Sequence, residues 1–240
     1  MKRDSRKKSQ LPSNALHIPR ADLLARLVVT AIVEGTALGR FQPGQRLIET
    51  EIAEQLGVSR LPLREALKIL ETQGIVERLP RRGTQLMEVN ADKLRKVLEV
   101  RAQLEVLALR NIFKDGRIDD LMHEFDQVLK QMRREADSKN RIGIATTDMQ
   151  FHRALCLTSG NEVLAKLWEG LSQQLVIFFC VEGRTIPDLR TIHDRHSALR
   201  DAIKTGDADR AESALLTHIL KSWRFDDAFF SGAQKRKRTA

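Results

Sequence analysis

The spacing of apolar residues in the second part of the chain constrains its fold more than any other feature. From Ala91 to Phe230, apolar residues recur three and four positions apart, which is the period of a helix that buries one face. Short breaks rich in glycine, asparagine and aspartate interrupt this pattern. The pattern predicts six helices, at about 91–114, 118–138, 140–158, 162–181, 188–205 and 208–230. Because connections this short favour antiparallel neighbours, we expect an all-α, six-helix antiparallel bundle.

The chain before Asn90 contains shorter elements that glycine and proline residues separate. Helical spacing predicts three helices there, at about 21–38, 49–56 and 60–73, the first with Leu23, Leu24, Leu27, Val28 and Ile32 on one side. Two strands, at 75–79 and 84–87, are then predicted on either side of a basic turn. Three helices and a β-hairpin form a winged helix-turn-helix. The predicted fold class is therefore mainly α.

The composition excludes several classes of protein. Of the 240 residues, 42% are hydrophobic and 30% are charged, which is typical of globular proteins and not of disordered ones. No segment approaches the roughly 18 consecutive apolar residues that a membrane-spanning helix needs. Two cysteines, Cys156 and Cys180, are too few for the disulfide framework of a small secreted protein. We therefore expect a cytoplasmic protein without a membrane partner.

Most of the net charge lies at the two ends of the chain. The net charge is +9, and eight of these positive charges come from residues 1–10 and 235–238. Basic segments without an apolar pattern are typical of disordered tails. We therefore expect basic disordered tails at 1–14 and 232–240, a winged helix-turn-helix domain at 15–89 and a helical domain at 90–231.

The third predicted helix carries the residue pattern of a helix that reads DNA. Ser59 is a suitable N-cap, and Arg60 and Arg64 lie four residues apart, so both project from one face near the helix start. An arginine there can donate two hydrogen bonds to the O6 and N7 atoms of guanine in the major groove. Arg81 and Arg82, at the tip of the predicted hairpin, would then lie against the DNA backbone or the minor groove. Such an arginine pair on its own is more often a solvated helix face.

An ordered string of residues around this helix resembles the amino-terminal domain of GntR-family bacterial transcription regulators. The string includes Phe41-Gln-Pro-Gly, Leu56-Gly-Val-Ser-Arg60, Pro62-Leu-Arg-Glu-Ala-Leu67 and Arg81-Arg-Gly83. The resemblance implies that Arg60 and Arg64 read DNA and that Gly83 is the wing glycine. This chain departs from the family at Leu61, where threonine or serine is common, and in a longer connection at 34–39.

Four side chains of the helical region form a possible metal site. Asp148 and His152 lie four residues apart on one predicted helix and therefore face the same side. His196 and His218 lie at similar distances from the break at Gly206, so they reach nearly the same height in two antiparallel helices. Imidazoles with one carboxylate suit zinc, nickel or a similar divalent ion. Because any single histidine is more often structural, the spacing leaves both interpretations open.

The same region resembles the FCD effector-binding domain of GntR regulators. The matching residues are Arg101-x-x-Leu104-Glu105, Asp148-x-x-x-His152, Ser159-Gly-Asn161, His196 with Gly206-Asp207, and Ala214-x-x-x-His218. A domain of six helices rather than seven resembles the VanR-like branch of this family. In metal-binding members the ligands are one aspartate and three histidines, which implies this role for Asp148, His152, His196 and His218. The resemblance also implies that Arg101 binds a carboxylate of the effector.

These patterns together predict a regulator and not an enzyme. We expect a repressor that binds a palindromic, double-stranded operator as a homodimer and responds to a small carboxylate effector bound at a divalent metal, zinc before nickel. Two alternatives stay open. One is a regulator whose effector is the metal ion itself, and the other is a metallohydrolase fused to a DNA-binding domain.

Overall fold

The structure, a computed structural model, describes residues 20–80, 83–183 and 187–221. Several sequence predictions lie outside these residues. They concern the two basic tails, Arg81 and Arg82 of the basic turn, and the part of the last predicted helix that follows Lys221.

The first part of the chain forms the expected winged helix-turn-helix. Its elements are α1 (Arg20–Ala37), β1 (Arg46–Leu47), α2 (Glu49–Leu56), α3 (Arg60–Thr72), β2 (Val76–Leu79) and β3 (Gly83–Leu86). The strands are antiparallel, in the order β1-β3-β2. The sequence did not predict β1, because two residues are too few to show an alternating pattern. This strand forms because Arg46 and Leu47 pair with Gln85 and Thr84 of β3.

The second part of the chain is a bundle of helices. Over the described residues these are α4 (Ala91–Lys114), α5 (Ile118–Asp137), α6 (Arg141–Thr158), α7 (Glu162–Gly183), α8 (Arg190–Lys204) and α9 (Ala208–Lys221). The side-chain oxygens of Asn90 and Asn140 accept backbone N–H bonds from Lys93 and Gly143, which caps α4 and α6. Helix α4 packs against α6, α7 and α9, and α5 packs against α6 and α8. The prediction of a mainly α fold with a six-helix bundle is confirmed.

The two parts pack on one another and share a continuous hydrophobic core. Helix α1 contacts both α3 of the winged helix-turn-helix and α7 of the bundle. Only residues 87–90 separate β3 from α4. The position of α3 therefore depends on the bundle, through α1, as well as on its own domain. Among the described helices, none is both long and apolar enough to cross a membrane.

The predicted inward face of α1 is wrong in part. Val28 and Ile32 are buried as expected, but Leu23 and Leu27 are 61% and 60% exposed. Helix α1 carries apolar residues on more than one side, and the face that is buried is the one that meets α3 and α7. The helical period shows that a helix has an apolar face, but where apolar residues lie on several sides, the neighbouring elements decide which side is buried.

Candidate metal centre and nucleic-acid interface

The bundle brings the three predicted histidine ligands together in its interior. His152 lies on α6, His196 on α8 and His218 on α9, and one ligand atom from each lies within 4.8 Å of the other two. The ring centroids of His196 and His218 are 4.5 Å apart, so the two residues do reach the same height in their helices. Asp148, one turn before His152, contacts this group through Oδ1, which lies 2.9 Å from Nε2 of His196. The structure therefore groups all four residues of the predicted set.

The hydrogen bonds of two histidines leave Nε2 of each as an acceptor. Nδ1 of His196 lies 2.8 Å from the carbonyl oxygen of Ile192. Since a carbonyl can only accept, Nδ1 carries the proton and Nε2 of the neutral ring carries a lone pair. Nδ1 of His152 likewise donates to Oε2 of Glu105, at 2.6 Å. A second hydrogen bond of this kind is the usual way in which proteins orient a histidine that binds a metal.

Three buried atoms at this site lack a hydrogen-bond partner. Nε2 of His152, Nε2 of His196 and Oδ2 of Asp148 make no hydrogen bond to any of the described residues. Nε2 of His196 lies close to Oδ1 of Asp148, but the two are not aligned for a hydrogen bond. Buried polar atoms without a partner are costly, and lone pairs that face one another repel. A cation among these atoms would satisfy all of them, so the donor set fits a divalent metal ion.

Glu105, to which the sequence pattern assigns no role, lies at the centre of the site. It is fully buried, and its Oε1 accepts hydrogen bonds from Nε of Arg101 at 2.7 Å and from Nε1 of Trp168 at 2.8 Å. Its Oε2 accepts the bond from His152. The carboxylate therefore joins α4, α6 and α7. The spacing of four residues between Arg101 and Glu105, which also belong to the FCD-like pattern, is a weak sequence signal for this arrangement.

Burial lowers the pKa of two of the three histidines, His152 and His218. Burial lowers the pKa of His152 well below its usual value, and the positive charge of Arg101 lowers it further. Burial also lowers the pKa of His218, with smaller contributions from the two neighbouring histidines. Burial would raise the pKa of Asp148, but its interaction with His196, and smaller ones with His152 and the guanidinium of Arg101, outweigh burial and bring the pKa below its usual value. Neutral imidazoles and an ionised carboxylate are the forms that bind a metal.

Arg101 lies close enough to the histidine group for its positive charge to lower the pKa of His152 and His218. Arg101 is 1% exposed, and Glu105 holds its guanidinium. His193, on the same helix as His196, is mostly buried, but its Nδ1 contacts Asp194 rather than the histidine group. His123 pairs with Gln127 on α5, also away from the site.

The predicted DNA-reading residues lie at the exposed start of α3. Ser59 is the N-cap residue by its extended backbone, but its side chain makes no capping hydrogen bond. Arg60 is exposed, and so is the neighbouring Leu61, at 63%. Nε of Arg64 donates to Oε2 of Glu49 on α2, at 2.8 Å. Both arginines thus lie on the surface, and Glu49 holds the second one in place.

The predicted wing is described only at its base. Arg81 and Arg82 lie outside the described residues. Gly83 has φ of +80°, a left-handed conformation that favours glycine. The guanidinium of Arg46, on the unpredicted strand β1, lies beside it, since a Cβ at Gly83 would be 3.6 Å from Nε of Arg46. Arg46 thus adds an exposed positive charge at the base of the wing.

Two family models match the chain, one for each part. The model of the FCD domain matches residues 96–221, and the model described as bacterial regulatory proteins, gntR family, matches residues 24–86. The gluconate operon transcriptional repressor of Bacillus subtilis is 28% identical over 194 residues, which are 79% of this chain and 76% of the relative. The Nta operon transcriptional regulator of Aminobacter aminovorans is 29% identical over 184 residues, with 75% and 84% covered.

Solved structures support the same fold. McbR/YncC of E. coli superposes with a TM-score of 0.67 at 19% identity, over 88% of this chain and 98% of that one. A GntR transcriptional regulator from Rhodococcus sp. RHA1 has the same TM-score at 24% identity, over 85% and 99%. These structures establish the arrangement of helices and strands, and the family models establish the kind of protein.

Proposed function

Because the chain belongs to the GntR family of bacterial transcription regulators and carries the FCD domain of that family, we propose that it is a metal-dependent repressor that a small carboxylate releases from DNA. It is a transcription regulator and not an enzyme. We propose further that it acts in the cytoplasm as a homodimer on a palindromic operator, with one metal ion and one effector bound to the helical domain. The observation that carries the proposal is the group of buried, unpartnered atoms on Asp148, His152 and His196.

In the proposed complex with DNA, the start of α3 enters the major groove. Arg60 and Arg64 donate to base edges, and the ion pair between Arg64 and Glu49 holds the second arginine ready for this contact. At Ser59 and Gly83 the backbone comes close to the DNA phosphates, and the wing arginines Arg81 and Arg82 neutralise the phosphate charge. The proposed DNA contacts are therefore made by Ser59, Arg60, Arg64, Arg81, Arg82 and Gly83. A homodimer presents two such helices to the two halves of a palindrome.

The metal ion of the proposal is held by Asp148, His152, His196 and His218. Zinc suits this set of nitrogen and oxygen ligands best, and nickel or another divalent ion suits it as well. When bound, such an ion offers a coordination position to an oxygen ligand. The protein supplies neutral imidazoles, of which Glu105 and the Ile192 carbonyl orient two.

The charges around the site favour an anionic effector. The carboxylates of Asp148 and Glu105 balance Arg101 and one charge of a divalent ion, so one positive charge remains in the buried interior. An uncompensated buried charge is unfavourable, and a carboxylate would neutralise it. Arg101 then holds the carboxylate while Glu105 fixes the guanidinium. The name of the gluconate operon repressor contains a sugar acid, which makes gluconate a reasonable first probe.

Metal analysis of four purified proteins tests the site. Wild type, His196→Ala, His218→Ala and the control His193→Ala are incubated with zinc, freed of unbound ion by gel filtration and measured by plasma mass spectrometry. We expect close to one zinc per chain in wild type and His193→Ala, and a loss of at least tenfold in occupancy under limiting zinc for the other two. Equal zinc in all four proteins would contradict the proposed ligands. Sedimentation of the same samples tests the dimer, and a monomer at operator-binding concentrations would contradict it.

A further inference from the structure

The end of the recognition helix α3 rests on the effector domain through a hydrogen bond. Nε2 of Gln174, on α7, donates to the backbone carbonyl oxygen of Gln73, at 2.6 Å. Gln73 is the C-cap residue of α3, where carbonyls lack partners within the helix. Gln174 is 9% exposed, so the bond is largely shielded from water. A bundle side chain thus supplies a hydrogen bond that α3 cannot supply itself.

The approach of α7 to α3 depends on a glycine. Gly74 has φ of +67°, and a Cβ at this position would be 2.8 Å from Nε2 of Gln174. A side chain of any size there would push Gln174 away. Helix α4 contacts the same turn, because Nζ of Lys93 lies 3.5 Å from the carbonyl oxygen of Gly74 and 3.8 Å from Glu77. Two bundle helices therefore hold the turn that follows α3.

The same two helices are joined to each other at the candidate metal centre. Glu105 on α4 accepts the Nε1–H bond of Trp168 on α7 and also orients His152. Trp168 and Gln174 are six residues apart on one helix, a distance of about 9 Å along its axis. A stiff helix of this length transmits a displacement at Trp168 to Gln174. These contacts form a continuous chain from the histidines through Glu105 and α7 to the end of α3.

One buried polar atom at the contact between the end of α3 and α7 also lacks a hydrogen-bond partner. Oε1 of Gln73 is buried and makes no hydrogen bond to the described residues. Such an atom destabilises the arrangement that contains it, and an arrangement that exposes or pairs it would avoid that cost. Ligands shift an equilibrium only if they bind its two states unequally, and that coupling is reciprocal. The end of α3 is therefore a suitable place for a small change in α7 to take effect.

We propose that Gln174 is the positioning residue through which the bundle sets the recognition helix. When the metal centre fills, Glu105 and Trp168 fix α7 relative to α4, and Gln174 holds the end of α3 in one orientation. This inference rests on the proposed metal site. It predicts that zinc alone changes the stability of the last turn of α3 and that the change passes through Gln174.

Hydrogen–deuterium exchange of wild type, Gln174→Met and Gln173→Ala, each with and without zinc, tests this role. The reporters are the amides of Gln73, Gly74 and Ile75, which bond to carbonyls of α3. We expect zinc to slow their exchange in wild type by roughly fivefold, the factor that corresponds to the net contribution of one hydrogen bond. Gln174→Met keeps the side-chain length and loses the donor, so this zinc-dependent difference should disappear. The neighbouring variant Gln173→Ala should keep it.

The outcomes separate this inference from the function on which it rests. A merely structural Gln174 would raise exchange equally with and without zinc in Gln174→Met and leave the zinc-dependent difference intact, which would overturn the inference. Zinc that binds wild type without slowing these amides would also overturn it, while the metal site would stand. Failure of wild type to bind zinc at all would contradict the proposed metal site and this inference together. Gln174→Ala is the second variant if Gln174→Met does not fold.

Discussion

Nδ1 of His152 donates a hydrogen bond of 2.6 Å to Oε2 of Glu105, and this bond joins a candidate metal ligand to the helix that carries the candidate effector arginine. The same carboxylate accepts from Arg101 and Trp168. Glu105 therefore fixes the ring of His152, the guanidinium of Arg101 and the spacing of α4 and α7 at once. In the proposed mechanism, metal affinity, effector affinity and the coupling to DNA would all depend on this one buried side chain, which is not itself a metal ligand.

Glu105→Gln should weaken zinc binding by about 10- to 100-fold, because a neutral amide is a poorer acceptor for Nδ1 of His152. Isothermal titration calorimetry with zinc measures the change. The control is Glu169→Gln, which removes a surface partner of Arg153 and should leave zinc affinity unchanged. Equal affinities for Glu105→Gln and wild type would show that this carboxylate does not support the metal site.

Arg64→Ala should weaken binding to a specific operator by about 1–3 kcal/mol, because a bidentate contact to guanine is lost. An operator selected from random duplexes with wild-type protein, and read by fluorescence anisotropy, provides the measurement. Arg110→Ala, which removes a bundle arginine paired with Glu212, should bind as wild type does. Wild-type affinity in Arg64→Ala would rule out α3 as the reading helix.

Deletion of residues 1–10 and 235–240 should weaken the salt dependence of DNA binding and leave operator preference unchanged. These segments carry eight of the nine net positive charges, and phosphate contacts determine how strongly affinity falls with salt. Affinities for operator and random duplex at several potassium chloride concentrations give both quantities. If the truncated protein lost its preference for the operator, the tails and not α3 would be reading sequence.

Gly74→Ala should destabilise the protein more than Gly57→Ala. Both glycines have a left-handed backbone, with φ of +67° and +65°, so each substitution costs roughly 1–2 kcal/mol in strain. A Cβ at Gly57 meets nothing within 4 Å, whereas one at Gly74 meets Gln174 at 2.8 Å. Urea denaturation of both variants measures the free energy of unfolding. Equal losses would show that the contact between α7 and Gly74 is not tight.

The sequence predicted the helices and most of the site for physical reasons. Helical spacing and Gly57, Gly74 and Asn140 fix where elements begin and end, because apolar period and capping are local properties. The height of His196 and His218 follows from their distances to one turn. These features need no knowledge of which elements meet.

The features that the sequence did not predict depend on contacts between distant segments. Strand β1 exists only because β3 lies beside it, and the exposed Leu23 shows that the buried face of α1 is chosen by α3 and α7. Glu105 and Gln174 look like ordinary surface residues of a helix until the partners Trp168 and Gln73 are known. A single sequence carries no local signal for such pairs.

The central claim is tested most directly by operator release with gluconate and with citrate. Release is measured for wild type, His218→Ala and Arg101→Ala, each with zinc supplied and with zinc removed by chelation. The claim is that a carboxylate acts through a metal held by the bundle histidines and through Arg101. It predicts that at least one acid releases zinc-loaded wild type, that His218→Ala and Arg101→Ala bind the operator and are not released, and that only Arg101→Ala still holds zinc. Full release of metal-free His218→Ala by an acid that releases wild type would contradict it.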